Sequence, residues 1–274
     1  MKITAKVISD SISREGQRIT TMELENPRFI HSEFMTHRVF SRNAASSRAI
    51  PIDTMMKQVT NNPAHPVIWG ANQAGMQAED TVKVSNKTCM EAWCNAAERA
   101  VESAKELQAL GLHKQIVNRV LEPFQMMKTV VTSTEWDNFY YLRDHKDAQP
   151  EIAVLARKMK EAQEASSPFL ICGDEWHVPY VSRKRGIHGE IIYFVGDDII
   201  SEEDALKVSA SCCAQVSYRK TDKGIKKALK IYDMLVNNKP VHASPFEHQG
   251  RPIALTSFSG NLRGYQQYRK IIEK

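Results

Sequence analysis

Thr36-His37-Arg38-Val39-Phe40-Ser41-Arg42-Asn43-Ala44-Ala45-Ser46-Ser47-Arg48 is the most informative stretch of the 274-residue chain. It sets one histidine and three arginines among Ser41, Asn43, Ser46 and Ser47, with no acidic residue between them. Such a set suits a dianionic phosphate. Guanidinium forks grip oxygens in pairs, while hydroxyls and backbone N–H groups complete the cradle. The competing reading is a solvated basic face, which composition alone serves equally well.

Outward from this stretch the pattern is mixed. Ile3, Ala5 and Val7 alternate with polar residues, and Thr20, Met22 and Leu24 alternate again beyond Arg14-Glu15-Gly16, which predicts a hairpin over residues 1–25. Asn26 as cap and Pro27 at the first helical position predict a helix. Ile30 and Phe34 face inward from it, and Glu33 and His37 share another face. The basic stretch thus begins on a helix and runs into a loop ending near Pro51. Residues 61–75 are loop-rich in Asn, Pro and Gly. A long helix over 80–110 carries Trp93, Ala96, Ala97, Ala100, Ala104 and Leu107 at steps of three and four, and Gly111 closes it.

The pattern then predicts a short helix from His113 to Leu121 and a strand from Met126 to Thr132. Ser133 or Thr134 caps a helix through Arg143, and Asp147 caps another through about Ala165. Residues 167–200, with Trp176, Pro179 and Tyr180 and a strand from Ile191 to Val195, read as an inserted lobe or lid. Ser201-Glu202-Glu203-Asp204 is a capping box. Thr221 caps the next helix, whose stripe is Ile225, Ala228, Leu229, Tyr232 and Leu235. A strand from Ile253 to Phe258 leads to a final helix capped by Asn261 and carrying Arg263, Tyr265, Tyr268 and Arg269. The whole length, 1–274, reads as one elaborated domain.

Hydrophobic content of 42% and charged content of 25% are ordinary for a globular enzyme. The net charge of +5 fits phosphorylated substrates and argues little for nucleic acid. No apolar run approaches the roughly 18 residues of a membrane span, and no signal-peptide pattern opens the chain, so a cytoplasmic protein without a membrane partner is expected. The five cysteines (Cys89, Cys94, Cys172, Cys212 and Cys213) lack a Cys-x-x-Cys pair, which predicts reduced thiols and no metal site.

His37-Arg38, seven residues, then Ser46 resembles the Arg-His-Arg, seven residues, Ser signature of the flavin-dependent thymidylate synthases, with Thr36 in place of the first arginine. Asn118-Arg119-Val-Leu-Glu-Pro123 resembles that family's Arg-x-x-Leu-Pro element. Asn138-Phe-Tyr-Tyr-Leu-Arg143 with Ala148-Gln149-Pro-Glu151-Ile152 resembles its Asn-Phe-x-x-Leu-Arg … Ala-Gln-x-Glu-Ile helix pair. Ala214-Gln215-Val216-Ser217 is similar to its Ala-Arg-Val-Ser segment, and His242-Ala-Ser-Pro-Phe-Glu-His248 to its His-x-Ser-Pro-Phe-Glu-His stretch. The last two precede the signature in the family and follow it here. A circular permutation gives that order, and so does duplication of a strand-then-basic-helix unit, Arg18 to Phe40 and Pro252 to Ile272.

The resemblance implies an α+β fold with a mixed or antiparallel sheet and long helices, usually a homotetramer with shared active sites. It implies bound FAD reduced by NADPH, and methylenetetrahydrofolate as carbon donor for reductive methylation of dUMP to dTMP. It makes Ser46 and Arg143 catalytic, and assigns dUMP to Glu33, Ser46, Arg48, Arg119 and Arg143. FAD falls to His37, Arg38, Asn138 and His248. A lone histidine is otherwise structural, and Arg143 otherwise pairs with Asp144 or Asp147. Thr36, Ala44, Thr132 and Thr134 depart from the family pattern on the flavin side, with Arg42, Arg263 and Arg269 as candidate replacements for the missing arginines. The departures leave open a related one-carbon modification such as hydroxymethylation, or a non-catalytic nucleotide-binding relative.

Overall fold

Alternating polar and apolar residues build the first hairpin, in which β1 (Thr4–Ile12) pairs antiparallel with β2 (Arg18–Pro27) across a turn where Gly16 takes a φ of 84°. The computed structural model describes residues 1–75, 78, 81–219, 222 and 224–273. A 3-10 turn (Arg28–Ile30) and the single turn α1 (His31–Phe34) lead into β3 (Ser41–Ala44), α2 (Ile52–Asn61), the long α3 (Asn86–Ala109) and α4 (Lys114–Val117). A 3-10 stretch (Asn118–Phe124) then delivers β4 (Met126–Ser133), followed by α5 (Asp137–Arg143), α6 (Pro150–Glu164) and β5 (Phe169–Leu170). These strands form one sheet in the order β3-β4-β2-β1-β5, antiparallel except for the β1–β5 pair.

The rest of the chain supplies a meander of β6 (Ser182–Arg185), β7 (Ile191–Val195) and β8 (Asp198–Ile200). Then come α7 (Glu202–Gln215), a 3-10 turn (Val216–Tyr218), α8 (Ile225–Asn237) and another 3-10 turn (Ser244–Glu247). The short strands β9 (Gly250–Pro252), β10 (Phe258–Ser259), β11 (Leu262–Arg263) and β12 (Tyr265–Gln267) and the last turn α9 (Arg269–Ile272) complete it. The strand period of two sorts the sheet faces. Met22, Leu24 and Val131 pack under α5 and α6 with Phe34, Phe139 and Leu155, whereas Val130 joins Trp176, Val208, Cys212 and Phe246 from the later segment. The sheet is thus the middle of three layers, with the mixed α+β architecture expected from the sequence.

Several local expectations are corrected. Asn26 and Pro27 end β2 rather than start a helix, because the ladder to Met126 and Met127 holds them extended. The helix read from His113 breaks into α4 and a 3-10 stretch, since Pro123 has no N–H to continue it. Neither Ser133 nor Thr134 caps α5: Ser133 Oγ accepts from Glu135 N, and the helix opens only after Trp136. Pro150 opens α6 behind Gln149, so Asp147 is not its cap. Ser201 does cap α7 (through Gln215) by its side chain, and Ser85, not singled out in the sequence, caps α3 in the same way. Thr221 lies outside the described residues, and α8 begins behind Gly224.

Ile253 to Phe258 is not a strand and Asn261 caps no helix. Gly260 and Gly264, at φ of 61° and 70°, turn the chain into two small hairpins instead. That removes the second strand-then-helix copy on which a duplication would rest. Within residues 167–200, read above as an inserted lobe or lid, Trp176, Val178, Tyr180 and Val181 are buried in the layer beneath the sheet.

Candidate functional site

The loop after β3 is held rigidly before any ligand is considered. Ser46 N donates to Ser217 O at 3.0 Å, and Ala49 N and Ile50 N both return to Ser46 O. Buried Asn118 donates its amide to Ser47 O at 2.7 Å and Ile50 O at 2.9 Å, and Lys114 reaches Ala49 O. Backbone groups fixed this way present a preset surface, with little ordering left to be done on binding. The loop forms one wall of a recess of about 330 Å³ lined by Arg28, His31, Ala44, Ala45, Ser46, Ser47, Arg48, Arg119 and Met127. Ser46, Arg48 and Arg119 therefore line one recess, whereas Glu33 and Arg143 are not among its lining residues. Arg28 and His31 were missed, because nothing in their local sequence marks them.

The carboxylate of Glu122 sits among these cations. It accepts from Ser47 Oγ at 2.5 Å and pairs with Arg28 and Arg119, each at 3.1 Å. Arg48 is exposed and has no acidic partner among the described residues. Burial, together with Arg28 and Arg42, lowers the His31 pKa, so the ring stays neutral at pH 7. Its Nδ1 is buried without a hydrogen-bond partner, which leaves Nε2 as the nitrogen a ligand could reach.

A second cluster joins α1 to α5. Arg143 donates Nε to His37 Nε2 at 2.9 Å and a terminal N–H to the Glu33 carboxylate, so its partner is neither Asp144 nor Asp147. Asp144 pairs with Arg157 instead. Burial, then the charges of Arg143 and Arg42, hold the His37 pKa at about 4. A neutral ring accepting at Nε2 carries its proton on Nδ1. The ring packs edge-on to Phe139 at 4.8 Å. The other terminal nitrogen of Arg143 has no partner among the described residues, and it is the donor free to meet a carbonyl. Arg42 stands between the two clusters, donating to Phe34 O and His37 O and acting electrostatically on both His31 and His37.

His248 lies elsewhere. Arg183 donates to Ser9 and Ser11 on β1, and Ser11 Oγ meets His177 Nδ1 at 2.7 Å. His177 Nε2 meets Thr21 Oγ1 at 2.8 Å, Thr21 meets Thr132 at 2.6 Å, and Thr132 meets His248 Nδ1 at 2.8 Å. The Asn43 amide closes the chain 3.0 Å from His248 Nε2. Turned so that Nδ2 faces the ring, it also satisfies Ser244 O and Arg42 O. Both histidines are fully buried, and burial alone holds the His248 pKa at about 3. Both ring nitrogens of His248 are already used, so a flavin could touch it only if this layer opened.

Arg38 and Asn138 are exposed, and Met35, Val39 and Leu142 are exposed apolar neighbours in sequence. Exposed donors such as Arg38 and Asn138 are open to a cofactor, whereas His248 is sealed. The proposed replacements for the missing arginines are committed elsewhere: Arg42 to carbonyls, Arg263 to Glu135 and Leu255 O, Arg269 to Glu247 and Glu273. Thr36 turns its hydroxyl back to Glu33 O, and Thr132 belongs to the buried chain. Thr134 Oγ1 accepts from Arg263 N. Ala44 gives the recess a methyl wall.

The recess beside the edge strand of a mixed sheet, and an arginine with a donor to spare, belong to an α+β protein. Residues 17–169 match the family described as thymidylate synthase complementing protein, and the chain belongs to that family. Among solved structures it is similar to a UMP/dUMP methylase, PolB from Streptomyces cacaoi. The form bound with 5-Br dUMP is 17% identical, with a TM-score of 0.48 over 59% of this chain and 90% of that one. The form bound with 5-Br UMP is 19% identical, with a TM-score of 0.48 over 59% of this chain and 88% of that one. No curated protein sequence matches the chain. Among the described residues, no helix is long and apolar enough to cross a membrane.

Proposed function

We propose that this protein is a flavin-dependent thymidylate synthase that methylates dUMP to dTMP, with methylenetetrahydrofolate as carbon donor and NADPH as reductant. The observation that carries the reading is the recess in which Ser46, Arg48 and Arg119 converge from segments far apart in the chain. There the phosphate is gripped by guanidinium forks and by a hydroxyl on a loop whose backbone carbonyls accept from Asn118 and Lys114. Arg143 offers its free terminal nitrogen to a uracil carbonyl and stabilises the negative charge that spreads there as carbon 5 becomes nucleophilic. Glu33 and His37 hold that guanidinium in plane. FAD, when bound, supplies reducing equivalents; Arg38 and Asn138 are the residues of this chain suited to hold it. A cytoplasmic homotetramer with shared sites and a permuted segment order completes the proposal. In support of the permutation, Ser217 and His248 lie against the loop and strand of the basic stretch despite their distance in sequence.

One observation favours a second reading, a related one-carbon modification such as hydroxymethylation. Thr36 is bonded back to its own helix, and the arginines that could replace the missing ones are engaged. An absorbance spectrum of the purified protein, followed by dUMP titration in the same cuvette, tests the proposal. Flavin bands that shift with dUMP support a common pocket, and product analysis after adding methylenetetrahydrofolate separates the two reactions. Protein that cannot be reconstituted with FAD rules out both.

A further inference from the structure

We infer that Arg28 is a phosphate-binding residue and that Glu122 is the resident anion it must release when the substrate phosphate binds. The inference rests on the nucleotide reading above. Glu122 Oε1 receives Ser47 Oγ at 2.5 Å, Arg28 at 3.1 Å and Arg119 at 3.1 Å. A hydroxyl and two guanidinium groups converging on one oxygen make the donor set a phosphate oxygen requires. Here a side chain of the protein fills it. Arg28 enters from the end of β2 and lines the recess opposite the Ser46–Arg48 loop. Arg28, Arg48 and Arg119 line the recess and Glu122 is paired with two of them, so the net charge is positive even with Glu122 in place.

A dianion entering the recess meets Arg48 first, because Arg48 is exposed and lacks an acidic partner among the described residues. The phosphate then competes with Glu122 for Arg28 and Arg119. Each arginine has further N–H groups to turn toward it. Affinity is thereby set below what the arginines alone would give, since the bonds to Glu122 are exchanged rather than added. His31 also lines the recess, and its lowered pKa keeps it from adding charge there.

The test is calorimetric titration of the full-length protein with dUMP, inorganic phosphate and deoxyuridine. Arg28→Gln is expected to weaken dUMP and phosphate about tenfold, the loss of a charge-assisted hydrogen bond, and to leave deoxyuridine unmoved. Glu122→Gln is expected to tighten dUMP and phosphate about threefold, because the competing charge is gone. Weaker dUMP binding in Glu122→Gln would show a carboxylate that merely props the arginines and would overturn the inference. So would Arg28→Gln binding dUMP within about twofold of the parent. If Arg28→Gln does not fold, Arg28→Lys is read in its place: it keeps the charge without the fork, and an unchanged dUMP affinity overturns the inference. A parent protein that binds neither dUMP nor phosphate overturns the nucleotide reading itself, a separate failure from the other two.

Discussion

Two clusters built from the same residue types flank β3 and differ in what encloses them. The recess of Arg28, His31, Ser46, Arg48 and Arg119 opens to solvent and keeps donors in reserve. The chain from Arg183 through His177 and His248 to Asn43 is sealed between the sheet and the later segment, and each histidine nitrogen in it has a partner. A buried polar group with its partners in place is inert until one partner is removed, and removal then costs more than the bond was worth. An open cluster with surplus donors has the opposite economy, losing ligand affinity rather than stability when cut. Histidine, arginine and serine are therefore sealed and fully partnered in one cluster and open, with donors in reserve, in the other.

The sharpest way to break this contrast is His248→Ala. It strands Thr132 and Asn43 and opens a cavity, so a loss of about 3 kcal/mol in urea unfolding is expected. A loss below about 1 kcal/mol would mean water already serves the chain. Next in size, Arg48→Ala and Arg143→Ala should each weaken dUMP by about 2 kcal/mol. Arg48→Ala should leave the melting temperature in place, and Arg143→Ala should leave flavin content unchanged. Equal loss of dUMP and flavin in Arg143→Ala would refute its role as a pyrimidine contact.

Acid sharpens the contrast further. Burial lowers the pKa of His177 and of His248, the latter from 6.5 to about 3. Below about 6.5 the unfolded chain takes up protons that these buried rings refuse, so stability is full above that pH and falls as pH drops toward 3. The slope reaches about 1.4 kcal/mol per pH unit for each such histidine. Urea midpoints between pH 7 and pH 4 should show it, and a chain lacking the His248 imidazole should give a flatter line. The smallest effect belongs to Arg38→Ala. That side chain is exposed, so stability should change by less than about 0.5 kcal/mol, and any phenotype should appear in flavin content.

Where the sequence spoke about neighbours, it was legible. The β1–β2 hairpin, the Ser201 cap, α3 and β4 depend on residues a few positions apart. Where it failed, a distant partner had intervened. Asn26-Pro27 looks like a helix start until β4 claims it as strand, and Arg143 seems destined for Asp144 until α1 brings Glu33 and His37 to it. Arg28 carries no local mark, since its significance comes from a loop and a 3-10 stretch far along the chain.

By itself, then, the sequence determined the α+β class, the family resemblance and the basic stretch, because period, capping and motif spacing are short-range properties. Only the tertiary structure decided that His248 is sealed, that His31 lines the recess, and that Glu122 pairs with Arg28 and Arg119. Burial and the pairing of charges depend on which segments the fold stacks together, and no local pattern encodes that.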